Sequence, residues 1–292
     1  MSLLTIFLVL LSTVLHAGWN LLGRKCHATS AFFGRMLTVG LAVGFVPFVV
    51  SEVITRSMPP LAWLCVLGSG TCAGLYYFFL GFGYRSGDFT VVYPVARALP
   101  VLLVGVADAL RGRMPTSMGW LGMLIVVVGC LLTPLHSLRD LTLRRYINRA
   151  MLWILLTALG TVGYSLLDKI GSELVLPGPG SAARYAYVFL FVSFFVYQPL
   201  HCRFGRTEDD VILIGWFWPA VAAVCTYGSY FLVLWAFQSA GRASYVVAFR
   251  QFSIVIGVVT AFALFREKGL VIRLTGTLLI TAGLLVIALW GS

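Results

Sequence analysis

Ten apolar runs, each long enough to cross a bilayer, take up almost the whole chain. They fall at 3–22, 31–53, 61–84, 89–110, 118–135, 150–170, 183–201, 211–237, 243–265 and 270–290. A membrane helix needs roughly 17–25 such residues. Lipid offers the backbone no hydrogen-bond partners, so runs of this kind fold as helices that satisfy themselves. The 292 residues are only 11% charged, against roughly 25% in a soluble domain. The expectation is an all-α polytopic membrane protein with no soluble domain. Arg24 and Lys25 follow the first run instead of preceding it, so it reads as a structural helix and not as a signal peptide.

The net charge of +11 reads as topology, because most of the basic residues lie in short loops. Loops after the odd-numbered runs hold twelve of the 21 Lys and Arg, and those after the even-numbered runs hold five. The positive-inside rule then puts the richer side in the cytoplasm. That predicts a multi-pass protein of a bacterial inner membrane with both termini outside. The six cysteines form no C-x-x-C pair and no zinc-ligand spacing. No metal, disulfide framework or cofactor is expected, and no Walker sequence is present.

The chain also repeats itself. Residues 84–100, YRSGDFTVVYPVARALP, have an echo at 237–253, FQSAGRASYVVAFRQFS. Ser86 and Ser239 are 153 apart, as are Arg97 and Arg250, and so are Tyr77 and Tyr230. Gly18 pairs with Gly163, Arg35 with Arg184, Gly122 with Gly276 and Gly129 with Gly283. Offsets drift from 145 to 154 along the chain, as loop insertions in a duplication would make them. The predicted halves are 1–135 and 150–292, joined by a basic connecting loop at 136–149. Each half has five spans, so the second enters the membrane from the opposite side and the two form an inverted-topology repeat. Transporters use such pairs to open a central site to alternate sides. Pro94 and Pro100 bracket Arg97 and have no equivalents in the ninth span, which predicts bending in the first copy.

The segment HAGWNLLGRK, the turn SGDFTVVYP and the run LFREKGLVIRLTGTLLITAGLLVIAL resemble the drug/metabolite transporter superfamily, specifically its ten-helix EamA type. The resemblance implies transport and points to export, without specifying a substrate. That pattern tends to carry a Glu after span 4 as well as span 9. Glu267 fills the second place, while the first reads Arg111-Gly112-Arg113.

Candidate substrate-binding residues are the polar and aromatic groups at mid-span: His16, Trp19, Asn20, Tyr77, Tyr93, Arg97, Tyr164, Ser165, Tyr230, Trp235, Arg250 and Gln251. A charge at mid-membrane costs on the order of 2.5–3.5 kcal/mol by insertion scales, so Arg97 and Arg250 each require a reason. One reason is a carboxylate or phosphate on the substrate, matched by the guanidinium fork. The other is a partner within the protein, such as Asp168 or a carbonyl freed near Pro100. Depth in its span favours Arg97 over Arg250 for the substrate. His16 and Asp168 are candidates for proton coupling, the first otherwise a packing residue and the second otherwise an ion-pair partner of Lys169. Arg35 and Arg184 read as structural.

The leading functional expectation is a secondary transporter, not an enzyme, that exports a small polar metabolite, amino-acid-like or bearing an anionic group. Its partners would be that substrate and the lipid bilayer, with coupling to protons or a counter-substrate, and no nucleic acid. The alternatives are a lipid or lipid-linked sugar translocase, whose cavity would open sideways to the bilayer, and an intramembrane enzyme. Neither H-E-x-x-H nor G-x-S-x-G occurs.

Overall fold

The computed structural model describes residues 1–25, 30–86, 89–133, 135, 150–205, 215–265 and 270–291. Among them it is all helical: α1 (Leu3–Lys25), α2 (Ser30–Thr55), α3 (Pro60–Ser86), α4 (Phe89–Leu110), α5 (Ser117–Leu132), α6 (Ala150–Leu174), α7 (Pro179–Leu200), α8 (Phe217–Ser239), α9 (Ala243–Phe249), α10 (Phe252–Phe265) and α11 (Leu270–Trp290). Among the described residues, eight helical segments are long and apolar enough to cross a membrane. Of the ten expected spans, the one at α5 is shorter, with 16 residues, and α4 is not among the eight. The basic loop 136–149 and Glu267 lie outside the described residues.

The outer surface is apolar, unlike that of a water-soluble protein, while the interior holds polar groups among its apolar core. Val43 is 73% exposed, Val224 72% and Leu278 69%, while Asp108 and Asp168 are fully buried. Apolar side chains on the rim and polar ones inside are what lipid selects.

Without a hydrophobic force between helices, close packing must hold them together. α5 packs backbone to backbone against α11. A Cβ on Gly122 would lie 2.7 Å from the Gly283 carbonyl, and one on Gly129 would lie 2.6 Å from that of Gly276. The glycines that match along the repeat thus meet crosswise, each copy's first against the other's second. α1 packs on α8 as α6 packs on α3, the same pairing with the halves exchanged. Gly70 and Gly74 seat α3 on Val192 and Val196 of α7, which makes them packing residues.

The helix breaks in the second copy, not the first. α4 runs unbroken past Pro94 and Pro100, whereas the ninth span is interrupted at Arg250–Gln251, between α9 and α10. The reason is tertiary. The Arg250 carbonyl accepts from Arg97 Nη2 at 3.1 Å and from Ser253 Oγ at 2.9 Å, while the Ile254 N–H turns to the Gln251 carbonyl. Drawing a carbonyl out of the i→i−4 ladder opens the helix there.

Candidate functional site

The break sits on a central cavity of two small adjoining lobes, each about 30 Å³. His16, Tyr76, Tyr164 and Arg250 line both lobes. One lobe adds Arg97, Gln251 and Thr161, and the other adds Trp19, Tyr77, Phe189, Ser229 and Tyr230. Helices from both halves contribute to each lobe. Among the described residues no carboxylate lines either lobe, and the charged side chains in the lining are the two arginines.

Those arginines are in opposite situations. Arg97 Nε donates to Gln251 Oε1 at 2.9 Å, Nη1 meets His16 Nε2 at 2.7 Å, and Nη2 donates to Ser253 Oγ and the Arg250 carbonyl, both at 3.1 Å. It fastens α1 and α4 to the α9–α10 break, and its partners are neither Asp168 nor a carbonyl near Pro100. The Arg250 guanidinium makes no hydrogen bond or ion pair among the described residues. It lies 5.4 Å from the centroid of the Tyr230 ring, a cation–π contact that leaves its fork of donors unused.

Aromatic rings shape the rest. Tyr164 stands edge-on to Tyr76, Phe189 and Tyr230 with centroids 5.9 Å apart in each case, and Phe189 stacks on Tyr230 at 4.2 Å. Trp19 donates from Nε1 to His16 Nδ1 at 3.1 Å. His16 therefore sits between two donors, and a neutral imidazole can accept from only one of them.

Several expected residues lie elsewhere. Asn20 bonds the His16 carbonyl of its own helix at 2.8 Å and lines neither lobe. Trp235 packs on Phe231, off the cavity. Ser165 is buried without a hydrogen bond and also lines neither lobe. The Tyr93 side chain lies outside the described residues. Asp168 does not pair with Lys169. Neighbours on a helix point about 100° apart, and Lys169 turns to Glu173 at 2.9 Å and to the Phe237 carbonyl at 2.6 Å. Asp168 accepts the Tyr230 hydroxyl. Arg184 holds Glu52 at 3.1 Å and the hydroxyls of Ser51 and Ser57, a structural role; Arg35 lies 5.3 Å from the Trp216 ring centroid. Phe189, Thr226 and Ser229 were missed because spans 7 and 8 are apolar on most faces, with no period to single out an inward side.

One end of the bundle carries an ionic layer. Glu173 accepts both terminal nitrogens of Arg113, and Arg111 lies 3.8 Å away. The Glu173 hydrogen bonds raise the already high Arg113 pKa, so this guanidinium stays charged. Beside it, Asp108 Oδ2 accepts the Ser244 N–H at 2.8 Å, tying α4 to the start of α9.

Residues 3–134 match the model of the EamA-like transporter family. No curated protein matches the chain. A solved crystal structure, described only as that of a protein, aligns with a TM-score of 0.72 over 98% of this chain and 98% of its own, at 18% identity. A likeness at that identity shows the fold alone, and here it extends along both halves. The match over residues 3–134 makes the first half of this chain similar to the EamA-like transporter family.

Proposed function

We propose that the chain is a ten-span secondary transporter that carries a small organic anion through the central cavity by alternating access and exports it. The observation that carries this reading is Arg250. Its guanidinium lies at a helix break, borders both lobes, and has no acid or hydrogen-bond partner among the described residues. A substrate carboxylate or phosphate would supply the missing bidentate partner. The ring-lined walls suit a substrate with an apolar face beside its charge. Arg97, favoured by depth in the sequence, is already occupied and acts as a strut. The exchanged packing of α1 on α8 and α6 on α3, with the crossed glycines, supports an inverted repeat of 1–135 against 150–292. The match to a transporter family favours a non-enzymatic role. The test is uptake of a radiolabelled carboxylate panel into proteoliposomes. One or more members should accumulate with the wild-type protein and fail to do so with Arg250→Gln. Equal uptake by both proteins would refute the assignment.

One observation favours the lipid reading. An apolar groove of about 490 Å³ runs between α2, α7 and α8, with Arg184 and Ser51 at its margin. It shares no lining residue with the central cavity. Protein-dependent flipping of a labelled phospholipid, blocked by filling this groove with Val43→Trp, would shift the assignment to a lipid translocase.

A further inference from the structure

Asp168 is the other unusual group close to the cavity. It is wholly buried on α6, behind the wall, and lines neither lobe. Its Oδ2 accepts the Tyr230 hydroxyl, and the hydroxyls of Ser69 on α3 and Tyr185 on α7 also face the carboxyl. Yet Asp168 Oδ1, Ser69 Oγ and Tyr185 Oη are all left without a directed hydrogen bond. Among the described residues no ion pair reaches Asp168, and its neighbour Lys169 is engaged by Glu173. The other titratable or charged groups around it are Cys65 and Cys72 of α3, Tyr185 of α7, Tyr230 of α8 and, beyond the Tyr230 ring, Arg250 at the α9–α10 break.

An ionised carboxylate buried without an ion pair costs several kcal/mol. One proton on Oδ1 removes that cost, and the carboxyl can then donate to Ser69 Oγ or Tyr185 Oη. Neither lobe reaches the carboxyl, so a proton fits where a hydrated cation would not. The link to the cavity is short. Tyr230 gives its hydroxyl to Asp168 and its ring face to Arg250.

We propose that Asp168 is a membrane-embedded proton site coupled to the Arg250 cavity through Tyr230, so that a proton and the substrate's negative charge load together. The loading order rests on the reading of Arg250 as the anion site. An ionised Asp168 and a bound anion would compete for the field of one guanidinium, and a proton on Asp168 removes that competition. Net charge is then unchanged when both cross.

Infrared spectroscopy of the purified protein in lipid tests this without any substrate. At neutral pH the wild-type spectrum should contain a protonated-carboxyl C=O band that is missing from Asp168→Asn. Tyr230→Phe should keep the band and move its frequency, which also serves if Asp168→Asn fails to fold. In Arg250→Gln the band should persist to a pH about one unit higher, the scale of a nearby opposite charge. Identical C=O regions in wild type and Asp168→Asn, or a band that Tyr230→Phe leaves unmoved, would overturn the site. A band indifferent to Arg250→Gln would overturn the coupling. Failure of carboxylate uptake leaves these readouts standing, so the two proposals fail separately.

Discussion

Replacing Arg97 and Arg250 by Gln, one at a time, separates a guanidinium that holds the fold from one that waits for a ligand. Arg97→Gln removes donors to Gln251 Oε1, His16 Nε2, Ser253 Oγ and the Arg250 carbonyl. Each hydrogen bond to a charged group contributes roughly 1.5–3 kcal/mol. The freed acceptors rebond in part, and breaking a buried charged network typically costs about 3–5 kcal/mol. At roughly 2–4 °C per kcal/mol for a chain of this size, Arg97→Gln should melt about 10 °C lower. Arg250→Gln forfeits only the contact over Tyr230, about 0.5–2 kcal/mol, and should melt within about 5 °C of the wild type. The assay is thermal unfolding in nanodiscs by intrinsic fluorescence, run beside carboxylate uptake. Arg250→Gln should be folded and inactive, and Arg97→Gln inactive because it is destabilised. Equal melting of the two variants, or a larger loss in Arg250→Gln, would refute the division of roles.

Gly129→Val puts a side chain 2.6 Å from the Gly276 carbonyl, so overpacking of the α5–α11 contact should cost about 1–3 kcal/mol or more, read as a lower melting temperature. Glu173→Gln strips the anionic partner from Lys169, whose side chain is 1% exposed, and should destabilise by about 3 kcal/mol. Adding Lys169→Met to Glu173→Gln should recover part of that loss in a double-mutant cycle, because no buried charge is then left behind. Tyr77→Phe, which leaves the wall's shape intact, should melt like the wild type in the same assay, since the Tyr77 hydroxyl has no hydrogen-bond partner among the described residues.

The all-helical, multi-pass character was legible in the sequence because lipid imposes it: apolar runs of span length can do little else. The repeat located Arg97 and Arg250 as a pair through their common offset of 153, and both reach the cavity. What the repeat could not give was which face of a helix turns inward. Phe82 and Trp235 match along the repeat, yet Phe82 packs on Phe78 and Trp153 while Trp235 packs on Phe231, both off the cavity. Asp168 and Lys169 look like a pair only in one dimension. The break at Arg250–Gln251 has no local signal, no proline and no glycine pair. It is imposed by a side chain 153 residues away, which single-sequence reasoning about helix formers does not see.

Alternating access to the cavity is the central claim, and thiol labelling from each face of the membrane tests it most directly. Thr161 lines one lobe, and Thr161→Cys, placed in a chain whose six native cysteines are replaced, reports on water access there. A membrane-impermeant maleimide should label this position from either side of oriented vesicles in separate experiments, because the cavity opens to each side in turn. Labelling from one side alone, under all conditions of pH and added carboxylate, would contradict a transporter that alternates.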